Sequence, residues 1–355
     1  MRSLPILNRS VREVGPARPG SVVRAAPRAV RISITDRCDL ACLYCRPHRH
    51  DGYLPAEQRM AAGDWESLAR GLLQKGVTRF RITGGEPLMH PRVVDIVASI
   101  AALPGVEDVA MTTNATRLRE LAGPLRRAGL HRLNVSIDSL DEDRFARLTR
   151  GGSLRDVLSG IDAARSAGFT ELKTNTVVVG ASDSGDESAP GNVDQLASIA
   201  RWAFERGITP RFLELMTIGE GAKMRERVVP YRHMRTRLAH LLESDHGEKP
   251  GDRGPARYVR ARSEAGSHRK VGFITGSSDT FCDACDRLRA TSDGALRPCL
   301  ATNDSVDVSA AIRQGDLTAI GRGLDAAWEQ KPDGAVWKGC TEASAAEVDM
   351  RATGG

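Results

Sequence analysis

Six short runs rich in β-branched residues, at 30–35, 79–83, 108–113, 132–137, 171–179 and 209–215, alternate along this chain with longer amphipathic stretches. The amphipathic stretches cover 64–75, 91–103, 118–128, 154–167 and 193–206, and each closes near a Gly or Pro, as helices do. The pattern predicts six βα units in succession. Such a series builds a parallel sheet with right-handed crossovers, either doubly wound or curled toward a barrel. In both arrangements the chemistry sits beyond the C-terminal ends of the strands. No repeat of constant period is visible.

Two stretches interrupt this order. Residues 180–191 (GASDSGDESAPG) are polar and rich in Gly and Ser, and 244–254 (SDHGEKPGDRG) mark a boundary before a different kind of segment. Strand-like pieces at 257–262 and 270–274 follow, and 331–355 is weakly patterned. With 355 residues, 41% of them hydrophobic, the chain can bury a core of α/β-barrel size with a smaller appendage. No segment reaches the ~18 to 20 apolar residues of a membrane span, and residues 1–28 hold Arg, Pro and Val without a long apolar run. A cytoplasmic protein with no membrane partner is expected. The net charge of +6 favours an anionic partner, but aromatics are only 4% and no basic block stands beside stacking residues, so nucleic acid is not the expected one.

Cysteine placement changes the picture most. Cys38, Cys42 and Cys45 lie early, Cys282, Cys285 and Cys299 lie late, and Cys340 stands alone as a lone thiol. An odd count of seven without an export signal argues for metal ligation in a reducing compartment over a disulfide framework. Three thiolates spaced Cys-x3-Cys-x2-Cys can hold three corners of a cubane whose usual set is four, leaving one iron open. Structural zinc is the alternative, with His48 or His50 completing a Cys3His set, although the spacing is not that of a common finger.

The run from Arg31 to Cys38 (RISITDRC), with Leu43-Tyr44-Cys45 and then Thr83-Gly84-Gly85-Glu86-Pro87 after the second strand, resembles the radical S-adenosylmethionine (SAM) superfamily. The resemblance implies a partial (β/α)6 barrel with a C-terminal auxiliary-cluster region. It divides the chain into a basic extension at 1–27, the barrel at 28–243, the auxiliary iron–sulfur region at 244–330 and a tail at 331–355 ending in Gly-Gly. It also implies that SAM chelates the open iron of the first cluster. Gly84, Gly85 and Glu86 then belong to the segment that meets the methionyl amine, glycine being suited to close backbone approach. Tyr44, Thr113, Ser136 and Met216 match further positions near SAM.

The second trio narrows the resemblance. Phe281-Cys282-Asp283-Ala284-Cys285-Asp286-Arg287-Leu288-Arg289 with Cys299-Leu300 downstream closely resembles the GTP 3′,8-cyclase family, and the likeness covers roughly 28–320. That family carries two [4Fe–4S] clusters and SAM, binds the guanine of GTP at the open iron of the second cluster, and performs the first step of molybdenum cofactor biosynthesis. The implied reaction is reductive cleavage of SAM, abstraction of the 3′ hydrogen of GTP by the 5′-deoxyadenosyl radical, and closure of C3′ on C8 to give 3′,8-cyclo-7,8-dihydro-GTP. Arg31, Arg211, Arg287 and Arg289 match positions around GTP, and Arg81 and Lys173 add cations suited to phosphate. Arg287, Arg289, Gly354 and Gly355 match the catalytic positions, the glycines as a tail threading the cavity. Implied partners are GTP, an electron donor such as flavodoxin or ferredoxin, and the downstream cyclic pyranopterin monophosphate synthase; the resemblance also admits a homodimer.

The chain departs from the family pattern at Asp39, Arg46, Ala115 and Thr353, and lacks the His that usually follows Lys331-Pro332. Two alternatives follow: a paralogous radical SAM enzyme with an auxiliary cluster acting on a peptide or another nucleotide, or a nucleic-acid-binding iron–sulfur or zinc protein.

Overall fold

Within the first strands an apolar residue alternates with a polar one, and burial follows the alternation. In β1 (Ala29–Ser33) Val30 and Ile32 are fully buried while Arg31 lies between them; in β2 (Arg79–Thr83) Phe80 and Ile82 alternate with Arg79, Arg81 and Thr83. β3 (Asp108–Thr113) and β4 (Arg132–Ser136) repeat this with Val109, Met111, Leu133 and Val135 on the apolar face. One face of the sheet therefore demands a cover of helices, and the other is left polar and strongly basic. The structure is a computed structural model that describes residues 26–46, 52–182, 189–243, 249–250, 254–278, 282, 285–332 and 350. Residues 1–25, His48, His50, Cys340, Gly354 and Gly355 lie outside the described residues.

The cover is supplied by α1 (Asp64–Leu73), α2 (Val93–Ala101), α3 (Leu118–Arg127), α4 (Glu142–Thr149), α5 (Leu154–Ser166) and α6 (Leu196–Glu205), with β5 (Leu172–Val178) and β6 (Thr209–Glu214) completing the series. Trp65, Leu68, Leu72, Ile96, Ile100 and Leu125 of these helices pack against the apolar strand face in one continuous core. Strands β1 to β6 are parallel and each lies beside its predecessor in sequence. A doubly wound sheet reverses its strand order, so of the two expected arrangements this is the barrel-like one. Right-handed crossovers in unbroken order put every helix on one side and leave the basic face inside.

The C-terminal segment does not form a sheet of its own. After α7 (Tyr231–Leu238) come β7 (Lys249–Pro250), β8 (Arg257–Arg262) and β9 (His268–Ile274), and β9 joins the free edge of β6 in parallel. The chain then crosses over, so that β10 (Arg287–Ala290) pairs in parallel with β1 and is followed by β11 (Ala295–Arg297) and β12 (Val306–Asp307). α8 (Ser309–Gln314) and α9 (Leu317–Glu329) close that side against α1.

The predicted runs at 79–83, 108–113 and 257–262 coincide with β2, β3 and β8, and the others differ by one or two residues at an end. Thr35 leaves the ladder of β1 because its carbonyl accepts from Gly85 N, in the loop after β2. The helix expected at 193–206 begins as a 3-10 turn at Val193–Gln195 before α6. Sequence periodicity did not reveal α4, α7, α8 or α9; α4 buries only Phe145, Leu148 and Thr149, too few for a clear stripe, although Asp141 caps it by accepting from Arg144 N at 2.7 Å.

Candidate functional site

The last turn of α4 leaves carbonyls that need donors. The loop after β1 supplies them: Ala41 N donates to Thr149 O at 3.1 Å and Leu43 N to Leu148 O at 3.0 Å, which fixes the segment carrying Cys38, Cys42 and Cys45. From the other side the end of β2 grips it. Gly85 N donates to Thr35 O and Glu86 N to Arg37 O, each at 2.7 Å. A Cβ on Gly84 would stand 2.5 Å from Thr35 O, and one on Gly85 only 2.3 Å from Arg37 O. The close approach that demands these glycines is thus the cysteine loop's own backbone, a nearer cause than the ligand contact the sequence suggested.

Glu86 extends the same cross-tie to β3. Its buried carboxylate accepts from Thr113 Oγ1 at 2.6 Å, Asn114 N at 2.7 Å and Leu88 N at 3.0 Å. Burial pushes its pKa up to about 7 although all three bonds favour the charged form. Thr113 Oγ1 also accepts from Ala115 N at 2.9 Å, so this hydroxyl is engaged in holding the loop. Asp39 accepts from Asn114 Nδ2 and Thr116 Oγ1, each at 2.7 Å. Replacing Glu86 with Gln leaves one acceptor oxygen among three donors, and we expect a loss of ~1 to 3 kcal/mol in stability, read from thermal melting. The pH dependence carries a sign. A folded pKa above the unfolded value stabilises below pH ~4.5, and that contribution is lost as pH rises through about 7. In Glu86→Gln the fall across that window disappears.

Tyr44 donates its hydroxyl proton to Asp138 Oδ2 at 2.6 Å, and Asp138 Oδ1 accepts from Val177 N at 2.9 Å. Asp138 is buried, and its pKa is pushed up to about 6 by that burial. Tyr53 donates to Cys38 O at 3.2 Å and presents its ring to the guanidinium of Arg46 at 4.5 Å.

The second trio is assembled beside β10. Cys285 N donates to Cys282 O at 3.1 Å, and Ala301 N points at Cys299 Sγ at 3.4 Å. Lys331 Nζ donates to Arg287 O at 2.7 Å and Pro298 O at 2.9 Å, tying the two halves of this loop system. Burial raises the Cys285 thiol, but Arg287 and Lys331 outweigh it and bring it down to about 7. Burial pushes the thiols of Cys38 and Cys42 upward, and the next largest causes, Glu86 beside Cys38 and Asp138 beside Cys42, push the same way.

Both trios open onto one cavity, lined by all six cysteines together with Tyr44, Gly84, Gly85, Glu86, Thr113, Ser136 and Met216 on one side and Arg31, Arg81, Arg211, Arg287 and Arg289 on the other. All six thiols are free of disulfides. Among the described residues no three His, Cys, Asp or Glu side chains converge as the ligands of a single metal ion would. A soft all-thiolate donor set spread over short loops suits cubane clusters, in which each iron takes its own sulfur. The residues present therefore fit two iron–sulfur clusters with an open corner each.

The arginines form an inner layer. Strand register sets Arg289, Arg31 and Arg81 in one row across β10, β1 and β2. Burial first, and then Arg289, Arg81, Arg287 and Arg211, hold Arg31 well below its ordinary range. Arg81 is pushed down to about 9 by burial and then by Arg211 and Arg287. A guanidinium does not deprotonate in a protein, so the shifts express the cost of like charges held out of water, which a polyanion relieves. Two further arginines are already neutralised: Arg132 Nε donates to Asp108 Oδ1 at 2.8 Å in a bidentate pair, and Arg79 pairs with Asp286.

Lys173 is the predicted contact that the structure does not bring to the cavity wall; its ammonium lies 5.7 Å from the ring centroid of Tyr258. The wall residues that were missed include Asp138, Asn175, Glu214 and Lys331. Asp138 and Glu214 lie at or just past C-terminal strand ends, and an acid at such a position was the signal available. Glu214 anchors the wall, accepting from Tyr231 N, Ser277 N and Ser278 N, each at 2.8 Å.

Comparison with known proteins agrees over most of the chain. Residues 32–187 match the Radical SAM superfamily and residues 208–337 match Molybdenum Cofactor Synthesis C. A GTP 3′,8-cyclase of Saccharophagus degradans is 38% identical over 309 residues, spanning 86% of this chain and 89% of that protein. One from Heliobacterium modesticaldum is 39% identical over 309 residues, spanning 85% and 90%. The crystal structure of Streptococcus suis SuiB bound to S-adenosylmethionine is similar at a TM-score of 0.56 and 15% identity, over 91% of this chain and 72% of SuiB, a likeness of fold. Among the described residues no helix is long and apolar enough to cross a membrane.

Proposed function

The chain belongs to the GTP 3′,8-cyclase family of radical SAM enzymes, and from that premise we propose that it converts GTP to 3′,8-cyclo-7,8-dihydro-GTP, opening molybdenum cofactor biosynthesis. The observation that carries the reading is a single cavity with a cysteine trio on either side and a layer of buried arginines within it. Cys38, Cys42 and Cys45 would hold one [4Fe–4S] cluster and Cys282, Cys285 and Cys299 the other. When bound, the clusters and SAM supply the electron and the 5′-deoxyadenosyl radical that takes the 3′ hydrogen of GTP.

The protein's share is placement. Arg31, Arg81, Arg211, Arg287 and Arg289 take the triphosphate by charge-assisted hydrogen bonds, which fixes the ribose between the two trios. Tyr44 and Asp138, joined by their hydrogen bond, shape the wall beside the first trio, with Ser136 and Met216 completing the SAM side. Leu213, Leu215, Ile218, Ile274 and Leu300 line the same space with apolar surface, which lowers the water available to quench a radical. Residues 28–243 supply the barrel and 244–330 the second trio, while Gly354 and Gly355 would reach the cavity from the tail. A flavodoxin or ferredoxin would deliver the electron, and cyclic pyranopterin monophosphate synthase would consume the product.

Anaerobic reconstitution followed by incubation with SAM, reductant and GTP tests this. Cleavage of SAM that depends on GTP, with a cyclised nucleotide, is the expected result. Slow cleavage indifferent to GTP, with no cyclised nucleotide, would move the chain to a paralogue acting on another substrate.

A further inference from the structure

Four exposed arginines, Arg37, Arg117, Arg147 and Arg150, stand on segments that touch the first cysteine loop. Arg37 precedes Cys38, and its guanidinium lies 6.0 Å from the ring centroid of Tyr53, whose hydroxyl donates to Cys38 O. Arg117 Nε is 3.8 Å from Asp39 Oδ2. Arg147 lies in the last turn of α4 and Arg150 caps that helix, whose final carbonyls hold Ala41 N and Leu43 N. Arg150 Nη1 reaches across to donate to Arg46 O at 3.2 Å. None of the four lines the cavity, so they form a basic rim on the outer side of the loop. Asp39 is turned inward onto Asn114 and Thr116, and Asp141, Glu142 and Asp143 belong to the opposite end of α4.

Arg150 holds a backbone conformation unusual for an arginine. Its φ of 55° and ψ of 55° are left-handed, the geometry with which helices commonly end on Gly. Strain of this kind persists where the surroundings hold it and collects at functional positions. A second basic surface exists, where Arg260, His268, Arg269 and Lys270 border a cleft beside Gly207, Ile208 and Thr209 at the start of β6. The parallel strands put that cleft at the opposite end of the barrel from the loop that follows β1. Electron tunnelling falls steeply with distance, so of the two surfaces the rim is the one suited to delivery at the first trio.

We infer that Arg37, Arg117, Arg147 and Arg150 form the docking surface for an acidic one-electron carrier protein, which reduces the cluster of the first trio from outside the cavity. The inference rests on the radical SAM reading of that trio and gives its electron a place of entry. Positive rims steer acidic partners and fix their orientation. In the transfer the carrier's anionic flavin hydroquinone loses one electron to become the neutral semiquinone, the [4Fe–4S] cluster passes from 2+ to 1+, and no proton moves. A carrier held by Arg150 is in contact with a side chain bonded to the residue next to Cys45.

Purified flavodoxin tests it, in equilibrium binding to the reconstituted enzyme at low and high salt and in anaerobic rapid mixing of its hydroquinone with the enzyme. Dithionite serves as the small reductant that needs no docking. Arg147→Glu combined with Arg37→Gln should weaken flavodoxin by about tenfold at low salt and flatten the salt dependence, with dithionite-driven SAM cleavage and melting unchanged. Arg150→Gly removes a charge and suits the left-handed backbone, so it should bind flavodoxin about threefold more weakly without melting earlier. Earlier melting with full affinity would make Arg150 a helix cap alone and remove it from the surface. Should the double variant fold poorly, Arg147→Gln gives the same test with a smaller loss. Arg260→Glu with Lys270→Glu should bind flavodoxin as the wild type does. Wild-type affinity and salt dependence in the rim variants would overturn the inference, as would a loss confined to Arg260→Glu with Lys270→Glu, or a wild type that flavodoxin neither binds nor reduces. SAM left uncleaved by the wild type with dithionite would sink the radical SAM reading instead, and the binding comparison would still judge the rim.

Discussion

Cys38→Ala yields a chain that holds about half the iron and sulfide of the wild type and no longer cleaves SAM. The expectation follows from ligand arithmetic. The first loop offers three thiols where a cubane ordinarily takes four, so the open corner is already spent on SAM and the loss of one more ligand leaves two. Among the described residues no side chain stands ready to replace it, since the neighbours of this loop, Glu86, Asp39 and Asp138, are committed to Thr113, Asn114, Thr116 and Tyr44. Cys285→Ala should also lose half the iron but by the opposite route: the SAM-cleaving trio survives and the cyclised product disappears. Iron and sulfide counting beside chromatography of 5′-deoxyadenosine separates the two. SAM cleavage persisting in Cys38→Ala would contradict the assignment of the first trio.

Gly85→Ala, which removes no cysteine, should be nearly as damaging. Its Cβ would fall 2.3 Å from Arg37 O and 2.6 Å from Arg37 C, both backbone atoms one residue from Cys38. Relief requires moving the strand end or the cysteine loop, and the two are joined by the bonds of Gly85 N and Glu86 N. We expect ~1 to 3 kcal/mol of destabilisation and a drop in first-cluster content, because the loop that must shift carries the ligand. Gly63→Ala is the control: nothing lies within 4 Å of its Cβ and its backbone is ordinary, so melting and iron content should stay within error. A Gly85→Ala protein with full iron would show that the loop tolerates displacement.

The contrast between those glycines shows what the sequence carries. The residue string Gly84-Gly85-Glu86-Pro87 announced a special site at the end of the second strand, but not that the cysteine loop's carbonyls are what exclude a side chain. Six βα units were legible because Val30, Phe80, Val109 and Leu133 and their neighbours each face the same core. The order of strands was not legible: nothing local distinguishes a doubly wound sheet from a curled one, and the choice is made by long-range pairing. The same limit hid the return of β10 to β1, which brings Cys282, Cys285 and Cys299 opposite Cys38, Cys42 and Cys45. Lys173 illustrates the converse. Its charge and strand position suited a phosphate contact, but nothing local announced that its ammonium would stand 5.7 Å from the ring centroid of Tyr258, which arrives from a strand 85 positions later in the chain.

The central claim is that the two trios and the arginine layer hold GTP with its ribose between the clusters. GTP carrying deuterium at C3′, supplied to the reconstituted enzyme with SAM and reductant, tests it most directly. Deuterium appearing in 5′-deoxyadenosine in step with the cyclised product is the result this account predicts. Unlabelled 5′-deoxyadenosine accompanying turnover of the nucleotide would contradict it.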